Sequence, residues 1–427
     1  MLIEEFSFGN YRSFKEVQAL RMQAAKIVSA NKELDEQNVI QVNDRTKLLK
    51  SKVIYGANAS GKSNVVSALS LFKALVIFGM RFENITKVMD PFLYSTETAD
   101  EPCFFQMIFY IDDTKYRYGF EVSTDGIHSE WLYLTQNIRE VPVFIRDGQD
   151  IQEISKTHMP KGYEISKMKN KLFTKQRLFL SLIETFGDEL AEKIIREFHF
   201  IIFFVQSHEY RDYDKWVNEA LEDEKFRNIA LNYLQYADIG IDGIELVKEK
   251  NAENKQEESS IFSSHIRYDE NLNPVGKVLS YFEDAESDGT QQMLRLTPSL
   301  VKILQTGGVL IIDELGAQLH PLLTKKVFSL FNSKQNKNAQ IIATTHTTEL
   351  MSSDTLRKDQ IDFTEKDKYG RSYLYTLVEI KGVRNTASYE SDYFKGKYGA
   401  VPFLGNWEEL EKLCNDLKEE KQNEEEQ

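Results

Sequence analysis

The sequence predicts an α/β protein, with a buried, mainly parallel sheet core, a separate antiparallel β region and a compact helical insertion. Three observations predict it. A short apolar strand ending at Gly56 runs straight into a glycine-rich turn and then a helix-forming stretch. Two later apolar runs, Gly307 to Asp313 and Gln340 to His346, show no alternation and so read as strands covered on both faces. Residues 104 to 135 alternate with period two and are broken by turn residues, which is the pattern of antiparallel hairpins.

The elements follow in order. Residues 1 to about 80 read as strand, long excursion, strand, turn and helix. The turn, Gly56-Ala57-Asn58-Ala59-Ser60-Gly61-Lys62-Ser63, fits G-x-x-x-x-G-K-[ST], a loop whose glycines let successive backbone N–H groups face a phosphate chain. Lys62 can then reach the β- and γ-phosphates and the Ser63 hydroxyl can ligate Mg²⁺. The helix that begins there, with Ala68, Leu69, Leu71, Phe72 and Leu75 on its apolar side, directs its positive dipole end at the anion. A nucleoside triphosphate is the expected ligand.

The antiparallel region contains Phe104 to Ile111, Tyr116 to Val122 and Trp131 to Leu134, with turns at Asp112-Asp113 and Thr124-Asp125-Gly126. Residues from about 165 to 237 read as mainly helical, with Phe179, Leu182, Ile183 and Phe186 at helical spacing and a second amphipathic run from Trp216 to Tyr236. Asn251 to Ser260 is polar and reads as a surface loop or link. No internal repeat occurs, and no heptad pattern is sustained. The expected division is an N-terminal lobe over 1–135, a mainly helical insertion over 136–260 and a C-terminal lobe over 261–427.

In the C-terminal part, Glu286-Ser287-Asp288-Gly289-Thr290-Gln291 opens a helix, and by itself this is an N-cap turn. It can also present N–H groups and a hydroxyl to a phosphate. Gly56 to Ser63 already supply that in cis, so Ser287, Asp288 and Gly289 are expected to serve the nucleotide of another subunit. The buried run ending in Asp313-Glu314 places Asp313 to hold Mg²⁺ through water and Glu314 to orient and deprotonate an attacking water. His346, closing the last strand, can donate a hydrogen bond to the γ-phosphate or to that water.

Composition sets outer limits. A chain of 427 residues, 41% hydrophobic, can bury a large core and exceeds the usual single-core size. The net charge of −14 argues against a uniformly basic nucleic-acid surface while leaving room for a local basic groove. The tail from Asp416 to Gln427 is acidic and is expected to be frayed. Two distant cysteines, Cys103 and Cys414, read as thiols in a reducing cytosol, and the acidic N-terminus is not expected to be a signal peptide. The most apolar run, Phe200 to Val205, is far short of a membrane span, so no membrane partner is expected.

The order of these motifs resembles the ABC-class ATPases, in particular the soluble SMC, RecF and OLD group and its RloA and abortive-infection members. The likeness also rests on Phe6-Ser7-Phe8-Gly9-Asn10-Tyr11-Arg12-Ser13-Phe14, on Asp313 to Pro321, on Leu356 to Ile361 and on Lys397 to Leu404. Gly316 stands where many relatives carry Asp, and Gln106 is the candidate for the family's Q-loop. The resemblance implies an ABC-type P-loop head in which the insertion replaces a long coiled coil. It further implies Mg²⁺-dependent ATP hydrolysis in a homodimer or higher oligomer, with Ser287 and Gly289 of the partner copy closing over the γ-phosphate. It points to a bacterial antiphage role controlling a separately encoded effector such as a TOPRIM-type nuclease. The alternative is a DNA repair or recombination ATPase of RecF type. About 80 residues follow His346, so no TOPRIM domain is expected beyond the ATPase core's own end.

Overall fold

The computed structural model describes residues 1–79, 89–168, 174–205, 211–236, 240–250, 257–317, 319–402, 405, 408–409 and 411–415. The tail expected to fray from Asp416 onward lies outside them. So do residues 251–256 of the expected polar link, while its last four residues open a strand.

The chain starts with β1 (Leu2–Gly9), β2 (Gln18–Arg21), a single turn α1 (Leu34–Gln37), the hairpin β3 (Val39–Asn43) and β4 (Thr46–Leu49), then β5 (Ser51–Gly56) and α2 (Lys62–Phe78). Five antiparallel strands follow: β6 (Cys103–Ile111), β7 (Thr114–Ser123), β8 (Gly126–Gln136), β9 (Arg139–Asp147) and β10 (Asp150–Ile154). The insertion holds α3 (Pro160–Ser166), α4 (Phe179–Thr185), α5 (Glu189–Phe198), β11 (Ile201–Val205), α6 (Arg211–Leu221) and α7 (Glu224–Gln235). After it come β12 (Ile241–Lys250), β13 (Glu257–Tyr268), β14 (Pro274–Tyr281), α8 (Phe282–Ala285) and α9 (Asp288–Thr306). The C-terminal part adds β15 (Gly308–Asp313), α10 (Pro321–Phe331), β16 (Ala339–Thr344), β17 (Ile361–Lys366), β18 (Ser372–Thr376) and α11 (Tyr389–Phe394).

Among the described residues the core sheet has the order β11-β15-β16-β5-β17-β18, parallel except for β18. Its central strands β15, β16 and β5 are buried along their whole length because both faces are covered. Val309, Ile311, Ile54 and Ile342 face one core, whereas Leu310, Ile312, Val53, Tyr55 and Ile341 face the other. The first core lies between this sheet and the antiparallel one, with α2 in the middle. There Phe72 stacks on Phe120 at 5.3 Å and meets Phe6 edge-on at 5.5 Å. The second core lies under α9 and α10.

The antiparallel sheet has the order β10-β9-β8-β7-β6-β1-β2 and runs on past the expected boundary at residue 135. The edge strand β10 and its neighbour β9 escape a hydrophobicity reading because both are rich in charge, with Pro142 inside β9. Likewise the segment 136–260 is not helical throughout. Phe200 to Val205, noted only as too short for a membrane, contributes β11 to the core sheet, and β12-β13-β14 form a separate three-stranded sheet. Phe186 ends up exposed just beyond α4. Among the described residues no helix is long and apolar enough to cross a membrane.

A buried ion pair fastens the insertion to the antiparallel sheet. The Glu130 carboxylate accepts from Arg146 Nη1 (3.1 Å), Tyr118 Oη (3.0 Å) and the backbone N–H groups of Phe179 (2.6 Å) and Leu180 (3.0 Å) at the start of α4. Arg146 donates onward to the carbonyls of Gly148, Thr174 and Arg177. Both side chains are fully buried, so removing one partner leaves an uncompensated charge, a loss of about 3–5 kcal/mol.

Candidate functional site

The strand order puts the P-loop where the sequence reading expects it, at the carboxyl end of β5 between β16 and β17. Gly56 and Gly61 are forced by their surroundings. A Cβ on Gly56 would lie 2.5 Å from Ser60 Oγ and from Thr364 O, and Gly61 has φ of +115° and would meet Ser372 Oγ at 2.8 Å. Between them Ala59 takes a left-handed conformation with φ of 60°. The N–H groups of Asn58, Ala59, Gly61, Lys62 and Ser63 meet no acceptor among the described residues. They form an anion-facing arc at the N-terminus of α2.

Three hydroxyl side chains from distant segments brace this loop. Ser60 Oγ is hydrogen-bonded to Thr364 Oγ1 (2.7 Å), the Ser372 hydroxyl to Ser60 O (2.7 Å) and Ser13 Oγ (2.8 Å), and Asn64 Nδ2 donates to Ser13 Oγ (2.7 Å). This gives the Phe6–Phe14 segment a physical role. Phe6, Phe8 and Phe14 anchor it in the core, and Ser13 then props the P-loop helix.

A cleft of about 470 Å³ opens over the loop, lined by Asn58, Ala59, Gly61, Lys62, Ser63, Asn64, Glu314, His346 and Lys366. Lys62 Nζ donates to the carbonyls of Gly56 (2.8 Å) and Ala57 (3.0 Å). Burial lowers its pKa, opposed by the nearby charges of Asp313 and Glu314. Asp313 is buried at the end of β15, while Glu314, Ser63 and His346 are exposed to the cleft. Burial, reinforced by Lys62, pushes the His346 imidazole below its ordinary value against the pull of Glu314 and Asp313. At neutral pH the ring is therefore neutral and keeps one N–H.

One residue sets both acids. Thr344 Oγ1 donates to Asp313 Oδ1 (2.5 Å) and accepts the Glu314 N–H (2.8 Å), which holds Glu314 in a left-handed conformation with φ of 59°. A non-glycine residue there is strained and turns the Glu314 side chain away from the strand direction. Gly316 has φ of +95°, with Thr347 Oγ1 3.1 Å from where its Cβ would be, so an Asp at this position would be strained.

Sequence reasoning passed over Thr344 as a role-bearing residue and missed Lys366, Thr364 and Ser372. Lys366 could have been found by reading Ile361 to Lys366 as another buried strand parallel to β5. Ser372 gave no signal, since only the antiparallel return of β18 brings it to the loop. Gln106 lies on β6 and accepts from Arg117 Nη1 and Trp131 Nε1, both at 3.1 Å; it does not line the cleft.

Ser287, Asp288 and Gly289 lie elsewhere. Ser287 is the exposed N-cap of α9, its Oγ accepting from the Thr290 N–H at 3.3 Å, and none of the three lines the cleft of its own chain. The N–H groups of Asp288 and Gly289 meet no acceptor among the described residues. Of these two helix ends, that of α2 lies inside a braced cleft and that of α9 on the open surface.

The donor set fits Mg²⁺ and a triphosphate: a glycine cradle that a Cβ would fill, a buried ammonium, an exposed hydroxyl at the helix end and a buried carboxylate near them. This loop, with its paired acids on the parallel strand next but one in the sheet and the antiparallel sheet against α2, defines an ABC-class P-loop ATPase head.

Residues 53–352 match the family described as "AAA domain, putative AbiEii toxin, Type IV TA system", and the chain belongs to that family. No curated protein sequence matches it. Similar solved structures include a SmcHead bound to the C-winged helix domain of ScpA, at 15% identity and a TM-score of 0.44 over 88% of this chain and 98% of that one. The SMC head domain from Thermotoga maritima matches at 13% identity and 0.42, over 88% and 99%. An Smc head domain with an extended coiled coil, bound to the C-terminal domain of ScpA derived from Pyrococcus furiosus, matches at 13% and 0.40, over 88% and 96%.

Proposed function

We propose that this protein binds and hydrolyses ATP in a composite site between two copies, and that the cycle of association regulates a separate effector in bacterial antiphage defence. The observation that carries the reading is the exposed Ser287 helix end, built to face an anion yet absent from the cleft of its own chain. In one copy, Gly56 to Ser63 grip the phosphates from below. A second copy presents Ser287, Asp288 and Gly289 from above.

Ser63 and Asp313 would hold Mg²⁺, which when bound neutralises charge on the β- and γ-phosphate oxygens. Glu314, turned toward the cleft by its backbone, takes the proton of the attacking water. The neutral His346 donates to the γ-phosphate or to that water, and Lys62 leaves the loop carbonyls to reach the β- and γ-phosphates. A lone copy leaves the γ-phosphate open to solvent and without its second set of donors, so turnover depends on association. ATP then acts as an interfacial ligand that favours the associated state, and hydrolysis releases it.

The defence role is supported by the family description, which names an AbiEii toxin and a type IV toxin–antitoxin system, and by the resemblance to abortive-infection ATPases. The effector is a separately encoded protein, a TOPRIM-type nuclease being the leading class. Two measurements test the reading. Turnover per chain should rise steeply with protein concentration; constant specific activity on dilution overturns the composite site. Co-expression with neighbouring genes should recover a nuclease in complex with this chain, whereas ATPase stimulation by DNA alone, with steep salt dependence, favours a repair role instead.

A further inference from the structure

At the amino ends of the core strands, on the edge of the sheet away from the P-loop, lies a cleft of about 610 Å³. With six residues in β5 rising about 3.3 Å each, it is roughly 20 Å from the phosphate loop. Lys47 of the β3–β4 hairpin forms one wall, Lys334 and Lys337 in the turn after α10 form the other, and Lys50 lies at the floor. Glu36 is the only carboxylate in the lining, and neither an aromatic ring nor a guanidinium is present.

We propose that this cleft is a second anion site that takes a small oligophosphate through Lys47, Lys50, Lys334 and Lys337. The lysine-bearing turn is preorganised. Asn336 is buried and spends its whole amide on the turn, with Nδ2 donating to Phe331 O (2.7 Å) and Ala339 O (2.8 Å) and Oδ1 accepting from the N–H groups of Asn338 (3.2 Å) and Ala339 (2.9 Å). That rigid loop holds Lys334 and Lys337 at the rim. Lys50 is 3% exposed, and its ammonium donates to Ser333 O at 2.8 Å. The C-terminal dipole of α10 accounts for Lys50 alone. Among the described residues Lys47, Lys334 and Lys337 form no ion pair, so positive charge is left uncompensated in a chain whose net charge is −14. Burial, and then the neighbouring Lys337, push the Lys50 ammonium down to about 8.

Several flexible ammonium groups without a flat ring or a fork suit a compact, multiply charged anion and give no means of reading a base. The concave shape, with Glu36 at its wall, suits a short phosphate chain better than an extended nucleic-acid backbone. This site is independent of the proposed ATP cycle.

The test uses the full chain carrying Lys62→Ala, which removes the P-loop amine, titrated calorimetrically with inorganic tripolyphosphate in magnesium-free buffer. Saturable binding at one site is expected. Adding Lys334→Glu and Lys337→Glu should weaken it by at least about tenfold with an unchanged melting temperature. Absence of saturable binding in the Lys62→Ala chain, or undiminished affinity in the charge-reversed chain, overturns the site. Binding of a DNA oligonucleotide with none of tripolyphosphate overturns the small-ligand assignment. If the charge-reversed chain is unfolded, Lys334→Gln with Lys337→Gln serves in its place under the same criteria.

Discussion

The N-termini of α2 and α9 are built from the same local parts, a turn containing glycine and serine followed by a helix with free N–H groups, yet their surroundings differ. The α2 end is closed in by Ser13, Thr364 and Ser372 and faces two carboxylates and a histidine. The α9 end has a single cap from Ser287 and open surface around it. The difference teaches that a helix terminus becomes a site through what is fixed opposite it. The first terminus has its opposing groups in the same chain, and the second has none among the described residues.

The sharpest break in that comparison is Glu314→Gln, expected to lower turnover by about 10²- to 10⁴-fold while ATP-driven association persists, as single-turnover kinetics and light scattering would show. Wild-type turnover in this variant would remove Glu314 from its role. Next is Lys62→Ala, expected to weaken nucleotide binding by about a hundredfold through loss of charge-assisted bonds. Unchanged affinity in equilibrium dialysis would count against the P-loop half.

Ser287→Arg should weaken ATP-dependent self-association at least about tenfold by placing an unpaired charge against the partner. It should leave the nucleotide affinity of one copy unaltered, and an equal loss of both would place Ser287 in its own chain's site. Ser372→Ala, which strips a brace, should cost about 1 kcal/mol of stability and loosen nucleotide binding a few-fold, measured by thermal shift and titration.

The smallest effect concerns how α2 is anchored. Lys73 Nζ donates to Ile201 O at 2.6 Å, and burial pushes its ammonium down to about 8 from an ordinary 10.5. Between those values the unfolded chain holds a proton that the folded chain has released, so stability rises with pH across this window. Wild type should therefore gain on Lys73→Met between about pH 8 and pH 10 in denaturant unfolding. A constant gap would mean that Lys73 stays charged when folded.

The candidate phosphate-binding residues were legible because their chemistry is local. Gly56 to Ser63, Asp313-Glu314 and His346 sit at the ends of apolar runs, and each run is a strand of the core sheet. The tertiary parts were not legible. Ser372 and Thr364 reach the P-loop only through strand pairing, and Thr344 looked like one more polar residue at a strand end. β10 and the neighbouring β9 were hidden because charged residues near the sheet edge break the alternation that interior strands carry. The lysine cleft was invisible for a similar reason, since Lys47 and Lys50 are separated from Lys334 and Lys337 by more than half the sequence and a net acidic composition masks them.

The position of β5 in the sheet has a consequence for biosynthesis. Its hydrogen-bonding neighbours are β16 and β17, which begin at Ala339 and Ile361. On the ribosome the strand that leads into the phosphate loop must therefore wait for roughly 300 more residues, about 15–60 s at ordinary elongation rates, before either edge is paired. During that interval an apolar strand with two open edges is exposed to other nascent chains, and long-range pairing of this kind is slow. Expression yield should then depend on chaperone supply and translation speed more than on the stability of the finished fold.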